Sequence, residues 1–395
     1  MRIAILTSGI LPVPAVLGGA VENLIDYYLE YNDQNQLHDI MVYSIAPPKG
    51  TPNSDTSHTH YHYIDTTSWW GRLKRHIYVR THKSVYYNPY IEYFFYEVLN
   101  DIAKKEYDVI ILENRPGYAI PVSKVSKAKI IIHLHNDLLN KDSKNALEIC
   151  KVCDKVITVS NYIKSRVETI GAEIPIETVY NGIDLERFYQ ATPIDRKTLG
   201  FKEDDFIVVY SGRITPEKGV KELIKAFTQL KDYPNIKLLI IGGSFFGNSK
   251  GTDDFITSIQ EESKEIADSI VFTGFVPYEQ IPSYLVMCDV AVIPSLWEDP
   301  FPTTVLEAMA SGLPIIATNS GGIPEEVNSQ CAILIEKNNI IESINSSIIT
   351  LYDNKELSKL MRESCLSMSE YYNKENYSNN IIKEICANQT LNFYE

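Results

Sequence analysis

Short runs of Val, Ile and Leu recur along this chain, separated by longer stretches in which apolar residues return every three or four positions. The runs suit strands and the stretches suit amphipathic helices, so the alternation predicts repeated βα units. In the first half, strands are expected at Ile3–Leu6, Ile40–Ser44, Val109–Leu112, Ile130–Leu134, Val156–Val159 and Glu177–Val179. Helices are expected over Ala20–Tyr31, Tyr90–Lys105 and Tyr162–Ile170. The pattern restarts at Ile207–Ser211, which leads through Gly212-Arg213 into a helix across Val220–Leu230. Further strands are expected at Leu238–Ile241, Ile270–Phe272, Val290–Ile293, Ile315–Ala317 and Ala332–Ile335. These runs are continuous and do not alternate, so each strand must be covered on both faces, which implies mostly parallel sheets. The turn-rich Asn181-Gly182-Ile183-Asp184 separates two doubly wound α/β halves, and a helix-like tail runs from Tyr371 to Glu395.

A chain of 395 residues is long enough for two domains, each with its own core. Hydrophobic content of 44% and charged content of 22% are those of a soluble globular protein. No run of about 18 apolar residues occurs, so no spanning helix is expected. The opening MRIAILTSG enters a strand directly, with one Arg and no small-residue cleavage site. A signal peptide is therefore not expected, and a cytoplasmic location is. Cysteine usage agrees: Cys150 and Cys153 form a lone C-x-x-C at a helix end and read as core positions. His58, His60 and His62 alternate as on a strand, yet they fall in a polar loop without supporting carboxylates, so no metal is assigned to them.

Net charge of −14 argues against nucleic-acid binding. One segment runs the other way. Between Thr66 and Ile91 there is no acidic residue, while Arg72, Lys74, Arg75, Arg80 and Lys83 interleave with Trp69, Trp70, Tyr78, Tyr86, Tyr87 and Tyr90. A basic segment with interfacial aromatics suits anionic lipid headgroups. The alternative is a solvated helix face with its tyrosines packed inward.

The densest chemistry lies in Trp297–Gly322, WEDPFPTTVLEAMASGLPIIATNSGG. Asp299 and Glu307 stand eight apart, the chain turns at Pro300 and Pro302, and a helix opens at Thr303 or Thr304. A helix N-terminus exposes unpaired N–H groups and a partial positive charge, which suits a phosphate. A carboxylate one turn inside that helix can accept from sugar hydroxyls, and another in the loop before it can reach a hexose. The ligand that fits is both anionic and polyhydroxylated, such as a nucleotide sugar.

Other segments add to this. Gly18-Gly19 after the first strand lets the backbone approach a ligand where the first helix opens. In SGRITPEKG, Arg213 and Lys218 flank a turn at Pro216 at a strand's carboxyl end. Two cations there can hold a diphosphate and offset the charge that grows on it as a glycosidic bond breaks. His133 and His135 in HLHND end a strand on one side. His135, nearer the carboxyl end, is better placed for a ligand, and His133 reads as a core residue. Asn136 and Asp137 follow as acceptor contacts or caps. No D-x-D pair appears, so no metal bridging a diphosphate is expected.

The run DPFPTTVLEAMASGLP resembles the E-x7-E signature of retaining glycosyltransferases of family 4. The match puts Asp299 at the first Glu position and Glu298 one residue early, which leaves open which of the two faces the donor sugar. Gly212 to Gly219 matches that family's G-R-x-x-x-x-K-G motif at every defining position. The resemblance covers nearly the whole chain, densest over 212–326 and loosest over 44–108. It implies two Rossmann-like domains facing a cleft, the GT-B fold, with the last helix crossing back onto the first. The acceptor-binding domain would be 1–183 plus about 372–395, and the donor-binding domain 184–371.

The same resemblance implies catalytic roles for His135, which meets the transferred sugar, for Arg213 and Lys218 on the diphosphate, and for Asp299 and Glu307. It implies that Gly18, Gly19 and Gly212 approach the donor and that the Gly274–Val276 turn reads the base edge. Glu298, Phe301, Pro302, Thr303, Thr304 and Val305 would hold the donor around the helix start, with Gly321 as a backbone donor beside the phosphate. Asn136, Asp137 and Ser160 would contact the acceptor. The implied reaction is retaining, metal-independent transfer of a hexosyl or deoxyhexosyl group to an acceptor hydroxyl, in cell-surface or capsular polysaccharide or glycolipid assembly. The partners are a nucleotide-diphosphate sugar as co-substrate and a glycan or lipid-linked glycan. No other cofactor, no metal and no nucleic acid is expected. The setting would be cytoplasmic, peripheral at the inner face of the plasma membrane through residues 69–90. The departure at Asp299 leaves a nucleotide-sugar-binding protein without transferase activity as the alternative. A dinucleotide-dependent oxidoreductase would need G-x-G-x-x-G after the first strand, and Ser8-Gly9 through Gly19 lacks that spacing.

Overall fold

The computed structural model describes residues 1–243 and 254–387, which fall into two compact units, Met1–Asn181 with the segment from Lys374 on, and Gly182–Asn373. Residues 388–395 of the expected helical tail lie outside the described residues. In the first unit β1 (Arg2–Leu6) is followed by α1 (Ala20–Asn35), β2 (Asp39–Ile45), β3 (Thr59–Ile64), α2 (Trp69–Thr81) and α3 (Pro89–Ile102). Then come β4 (Val109–Glu113), α4 (Ala119–Val125), β5 (Lys129–Leu134), α5 (Ala146–Val152), β6 (Lys155–Thr158), α6 (Asn161–Glu168) and β7 (Ile176–Thr178). The strands are all parallel, in the order β3-β2-β1-β4-β5-β6-β7.

The second unit opens with α7 (Leu185–Tyr189), β8 (Phe206–Ser211), α8 (Val220–Thr228), β9 (Ile236–Ile241), α9 (Asp254–Glu262) and β10 (Ile270–Gly274). It continues with α10 (Ile281–Leu285), β11 (Val290–Ile293), α11 (Thr303–Ala310), β12 (Ile315–Thr318), α12 (Ile323–Glu326) and β13 (Ala332–Ile335). Two helices, α13 (Ile340–Asp353) and α14 (Lys355–Ser369), close it. Its strands are also parallel, in the order β10-β9-β8-β11-β12-β13. Each sheet therefore grows outward on one side, then returns to its middle and grows on the other. The reversal lies between β1 and β4 in the first unit and between β8 and β11 in the second. Loops leave the carboxyl ends in opposite directions there, opening the crevice in which such sheets take ligands.

The strands read from continuous apolar runs are the buried ones: β4, β6, β11 and β12 are buried at every position. The expectation of a loop around His60 and His62 fails. Both lie on β3, an edge strand paired in register with β2. An edge strand needs little apolar cover, so its polar composition reads as loop despite the alternating histidines. His58 and His62 go to separate carboxylates, Asp39 at 3.7 Å and Asp101 at 3.5 Å. All six cysteines are free thiols, and the Cys153 thiol points at the Cys150 carbonyl inside the core.

Sequence distance is overridden once. Helix α15 (Lys374–Cys386) belongs to the first unit although its sequence follows the second. Its Tyr377, Ile381, Ile382 and Ile385 repeat at helical spacing and pack against Leu24, Tyr27 and Tyr28 of α1. Ile381 is 1% exposed. Ile381→Ala should lower the stability of the first unit by about 2–5 kcal/mol, measured as a shift in its denaturant midpoint at unchanged slope.

Candidate active site

At the reversal of the second sheet, the loop after β8 meets the loop after β11. The Lys218 ammonium donates to the Asp299 carboxylate, which is 4% exposed, and sits 5.4 Å from the centre of the Trp297 ring. The backbone joins the loops as well, since the Leu296 N–H donates to the Glu217 carbonyl at 2.8 Å. Glycine makes this approach feasible. Gly219 has φ 72° where α8 begins, and a Cβ there would run into the Pro294 carbonyl. A Cβ on Gly321, φ 56°, would meet the Asp299 backbone.

Glu298 turns the other way. Its half-exposed carboxylate accepts from the Lys337 ammonium at 2.7 Å and the Gly321 N–H at 2.6 Å. Asp299 is thus the carboxylate that the loop buries beside a cation. The Gly321 N–H, expected beside a phosphate, donates to Glu298 in this structure. Arg213 is exposed, and its carbonyl accepts from the Tyr210 hydroxyl at 2.6 Å.

Helix α11 starts after Pro302, with Thr303 and Thr304 half-buried in its first turn. Phe301, Pro302 and Val305 are buried, and the Phe301 ring packs 5.9 Å from that of Tyr372. Their side chains serve the core, so backbone is what they can offer a ligand. Glu307 is 5% exposed, and burial pushes its carboxyl up to about 8 against the pull of the Thr303 hydroxyl. Burial thus favours its uncharged form, where the spacing suggests a carboxylate that accepts from sugar hydroxyls.

The sequence places Glu326 at the end of Ser320–Glu326, which resembles the family's loop beside the donor sugar and phosphate, and marks no role for its side chain. Glu326 is fully buried, and neither carboxyl oxygen has a hydrogen-bond partner among the described residues. Burial, then the nearby Asp299 charge, hold it well above the usual carboxylate range. Nothing in its local sequence marks it, since Glu325 beside it reads the same. Farther along the carboxyl edge, Gly212 donates to the Ile241 carbonyl at 3.0 Å and Gly242 to the Gly274 carbonyl at 3.0 Å. Gly274 is exposed at the end of edge strand β10, and the Val276 side chain is buried.

In the first unit, Gly18 and Gly19 both take positive φ, and Gly19 precedes α1. Behind them Glu22 is buried and pushed up to about 7 by that burial, with the Ser8 hydroxyl 3.4 Å away. His135 leaves the end of β5, and its Nε2 lies 2.9 Å from the Glu113 carboxylate. His133 reaches the same carboxylate with Nδ1 at 3.0 Å, and the Tyr28 hydroxyl donates to its other oxygen at 2.9 Å. Burial, then the neighbouring His133, lower His135 to about 4. Burial raises Glu113, but the imidazoles, His133 first, more than offset it and leave the carboxyl well below its usual range. Glu113 was missed because its position is set by strand register, which pairs it with His133 across 20 residues of chain.

The acceptor assignments fare less well. Asp137 is committed to Arg166 at 2.8 Å and the Asn140 amide at 2.8 Å. Ser160 is fully buried and caps α6 by accepting from the Ile163 N–H at 3.2 Å. Asn136 remains, its amide oxygen buried without a partner among the described residues.

Two doubly wound parallel sheets with a cation–carboxylate pair at a switch point define an α/β protein built to handle a charged, hydroxylated ligand. Comparison with known proteins makes this specific. The family model "Glycosyl transferases group 1" matches residues 191–367, and "Glycosyltransferase Family 4" matches residues 35–187. The chain belongs to glycosyltransferase family 4, with the GT-B fold, and is a glycosyltransferase that uses a nucleotide sugar. It is 28% identical to YtcC of Bacillus subtilis over 92% of this chain and 86% of that protein. It is 28% identical to the lipopolysaccharide 1,2-N-acetylglucosaminetransferase of Salmonella typhimurium over 58% and 59%. Its fold matches that of Anabaena HepE, solved in complex with UDP and glucose, with a TM-score of 0.74, 20% identity, and coverage of 98% of this chain and 100% of that one.

The state of Glu307 can be read from stability. Between its ordinary 4.5 and about 8, the unfolded chain gives up this proton while the folded one keeps it. Its contribution should therefore be whole below 4.5, fall as pH rises through that window and level off above 8. Glu307→Gln has nothing to titrate there. The melting temperature of wild type relative to this variant should decline from pH 5 to pH 8, and a flat difference would show that Glu307 is ionised when buried.

Proposed function

We propose that the protein transfers a hexosyl or deoxyhexosyl group from a nucleotide-diphosphate sugar to an acceptor hydroxyl, with retention of configuration and without a metal ion. The observation that carries this reading is the Lys218–Asp299 pair at the β8–β11 reversal. In this structure the ammonium is spent on Asp299. A diphosphate brings more negative charge to the same place and competes for it, with Arg213 exposed nearby in sequence. As Lys218 turns to the phosphate, Asp299 is released to accept from sugar hydroxyls. Charge then grows on the leaving phosphate, where fixed cations stabilise the transition state more than the ground state. Two side-chain cations and the start of α11 supply the positive charge that a divalent ion would otherwise bring. The leaving phosphate oxygen takes the acceptor proton on the face it vacates. No protein nucleophile is required.

The acceptor is proposed to be a glycan or lipid-linked glycan in cell-surface or capsular polysaccharide or glycolipid assembly. The Salmonella relative, by its name, works on lipopolysaccharide, which supports this. The surface of α2 supports a membrane setting. Trp69 is 67% and Trp70 65% exposed, and Leu73 and Ile77 continue the stripe at four-residue spacing. Arg72, Lys74 and Arg80 are exposed on the same helix, of which Gly71 alone is buried. A merely solvated face does not account for two bare tryptophans, whereas the interface of an anionic bilayer takes both the rings and the cations. No helix among the described residues is long and apolar enough to cross a membrane. The location proposed is the cytoplasmic face of the membrane, held peripherally through α2.

A panel of nucleotide sugars screened by thermal shift finds the donor, since a ligand that binds the folded state raises its melting temperature. With that donor, sugar transfer or donor hydrolysis should survive a metal chelator, and Lys218→Ala should lower turnover about a hundredfold or more under conditions where the variant, destabilised by the unpaired Asp299, is still folded. Loss of activity on chelation with rescue by magnesium or manganese defeats the metal-free mechanism, and binding without turnover identifies a nucleotide-sugar-binding protein instead. In liposome co-sedimentation, wild type should bind vesicles containing anionic lipid, less so at high salt, and a variant with Arg72, Lys74, Arg75, Arg80 and Lys83 made neutral should stay in solution. Equal behaviour of the two proteins removes α2 from membrane binding.

A further inference from the structure

Three donors converge on one carboxylate in the first unit. Tyr28 Oη donates to Glu113 Oε1 at 2.9 Å, His133 Nδ1 lies 3.0 Å from Oε2, and His135 Nε2 lies 2.9 Å from the same oxygen. Glu113 is fully buried, His133 is 1% exposed and Tyr28 is 1% exposed. The carboxylate has no proton to give at neutral pH, so both imidazole nitrogens that face it must be N–H donors. A neutral imidazole carries one N–H and one lone pair. The assignment of His135 therefore follows by exclusion: Nε2 holds the proton, and Nδ1 holds the lone pair. The backbone fixes the ring's origin as well. The His135 N–H donates to Asn114 Oδ1 at 3.2 Å, and the Asn114 N–H donates to the His133 carbonyl at 2.8 Å.

We infer that Glu113, supported by His133 and Tyr28, is a positioning residue that fixes His135 as a hydrogen-bond acceptor, so that its Nδ1 takes a proton-donating hydroxyl of the sugar substrate. This rests on the reading of His135 as a group at the reacting sugar. It adds the direction of the bond and the residue that sets it. A sugar hydroxyl can donate or accept, and a fixed lone pair decides for it, which orients the ring it belongs to. The arrangement also keeps His135 uncharged. The second imidazole stands with its ring centre 4.1 Å away, and a proton on Nδ1 would add a charge to a buried site.

A metal ion is the competing account of the same atoms. The donor atoms of Glu113, His133 and His135 lie within 4.8 Å of one another. A metal on His133 Nδ1 would turn Nε2 into an N–H, and Nε2 is buried with no partner among the described residues. Metal-bound histidines nearly always donate that second N–H, so the hydrogen-bonded set fits the surroundings better.

Histidine-selective 15N labelling reads the tautomer without any substrate, with His135→Gln supplying the assignment. Wild type at neutral pH should show His135 with a protonated Nε2 and a bare Nδ1, unchanged by added zinc. An Nδ1–H tautomer, a mixture, an imidazolium or a zinc-induced shift overturns the inference. Glu113→Gln should give a tautomer mixture and cut kcat for donor turnover by at least about tenfold with less change in donor KM, and Glu113→Asp should restore part of both. If Glu113→Gln folds and leaves tautomer and kcat alone, Glu113 positions nothing. Should that variant fail to fold, the wild-type spectrum still decides. His135→Ala separates the two claims: full activity there removes His135 from the reacting sugar, while the tautomer continues to judge Glu113.

Discussion

The second unit depends on a carboxylate that should not be comfortable where it is. Asp299 is almost fully enclosed, and an enclosed charge persists only when another charge or several donors face it. Lys218 does this, and the demand propagates outward. The two loops must come close enough for the pair to form, which forces glycine at 219 and 321 and links Leu296 to Glu217 through the backbone. Glu326 is held well above the usual carboxylate range first by its own burial, and the Asp299 charge adds to this more than Lys218 offsets. In the proposed mechanism, a diphosphate that takes Lys218 away would disturb all of these at once.

Much of this was legible in the sequence, for physical reasons that differ between elements. Buried parallel strands must be apolar throughout, so β4, β11 and β12 announced themselves. Arg213, Lys218 and Gly219 share one short loop, and short loops keep their geometry close to their sequence. The failures have causes of equal simplicity. β3 is an edge strand with little to bury, and its polar residues read as loop. Ser160 looked available because a cap and a substrate contact use the same hydroxyl. The Gly321 N–H has a partner that local sequence does not reveal, because Glu298 lies 23 residues earlier. Glu113 and Glu326 were invisible as functional groups, because burial and register decide their state and neither is local.

Charge shows the same division between local and global information. The protein as a whole is strongly acidic, and its net charge argues against a nucleic-acid partner. That sum conceals α2, a helix with a basic surface, an apolar stripe and a single buried residue. A total charge describes long-range repulsion and solubility, and a patch describes contact within a Debye length. Both statements hold together because they act at different distances.

The return of α15 to the first unit sets an order on biosynthesis. The apolar face of α1, with Leu24, Tyr27 and Tyr28, is made early, but the residues that cover it come after the entire second unit. At ordinary rates of translation the ribosome needs roughly 10 to 40 s to make the intervening 200 or so residues. For that interval the nascent first unit carries an uncovered stripe of tyrosine and leucine, while the second unit, contiguous in sequence, is free to complete itself. The unit that emerges first is the one that finishes last, and in the meantime chaperones have an exposed surface to hold.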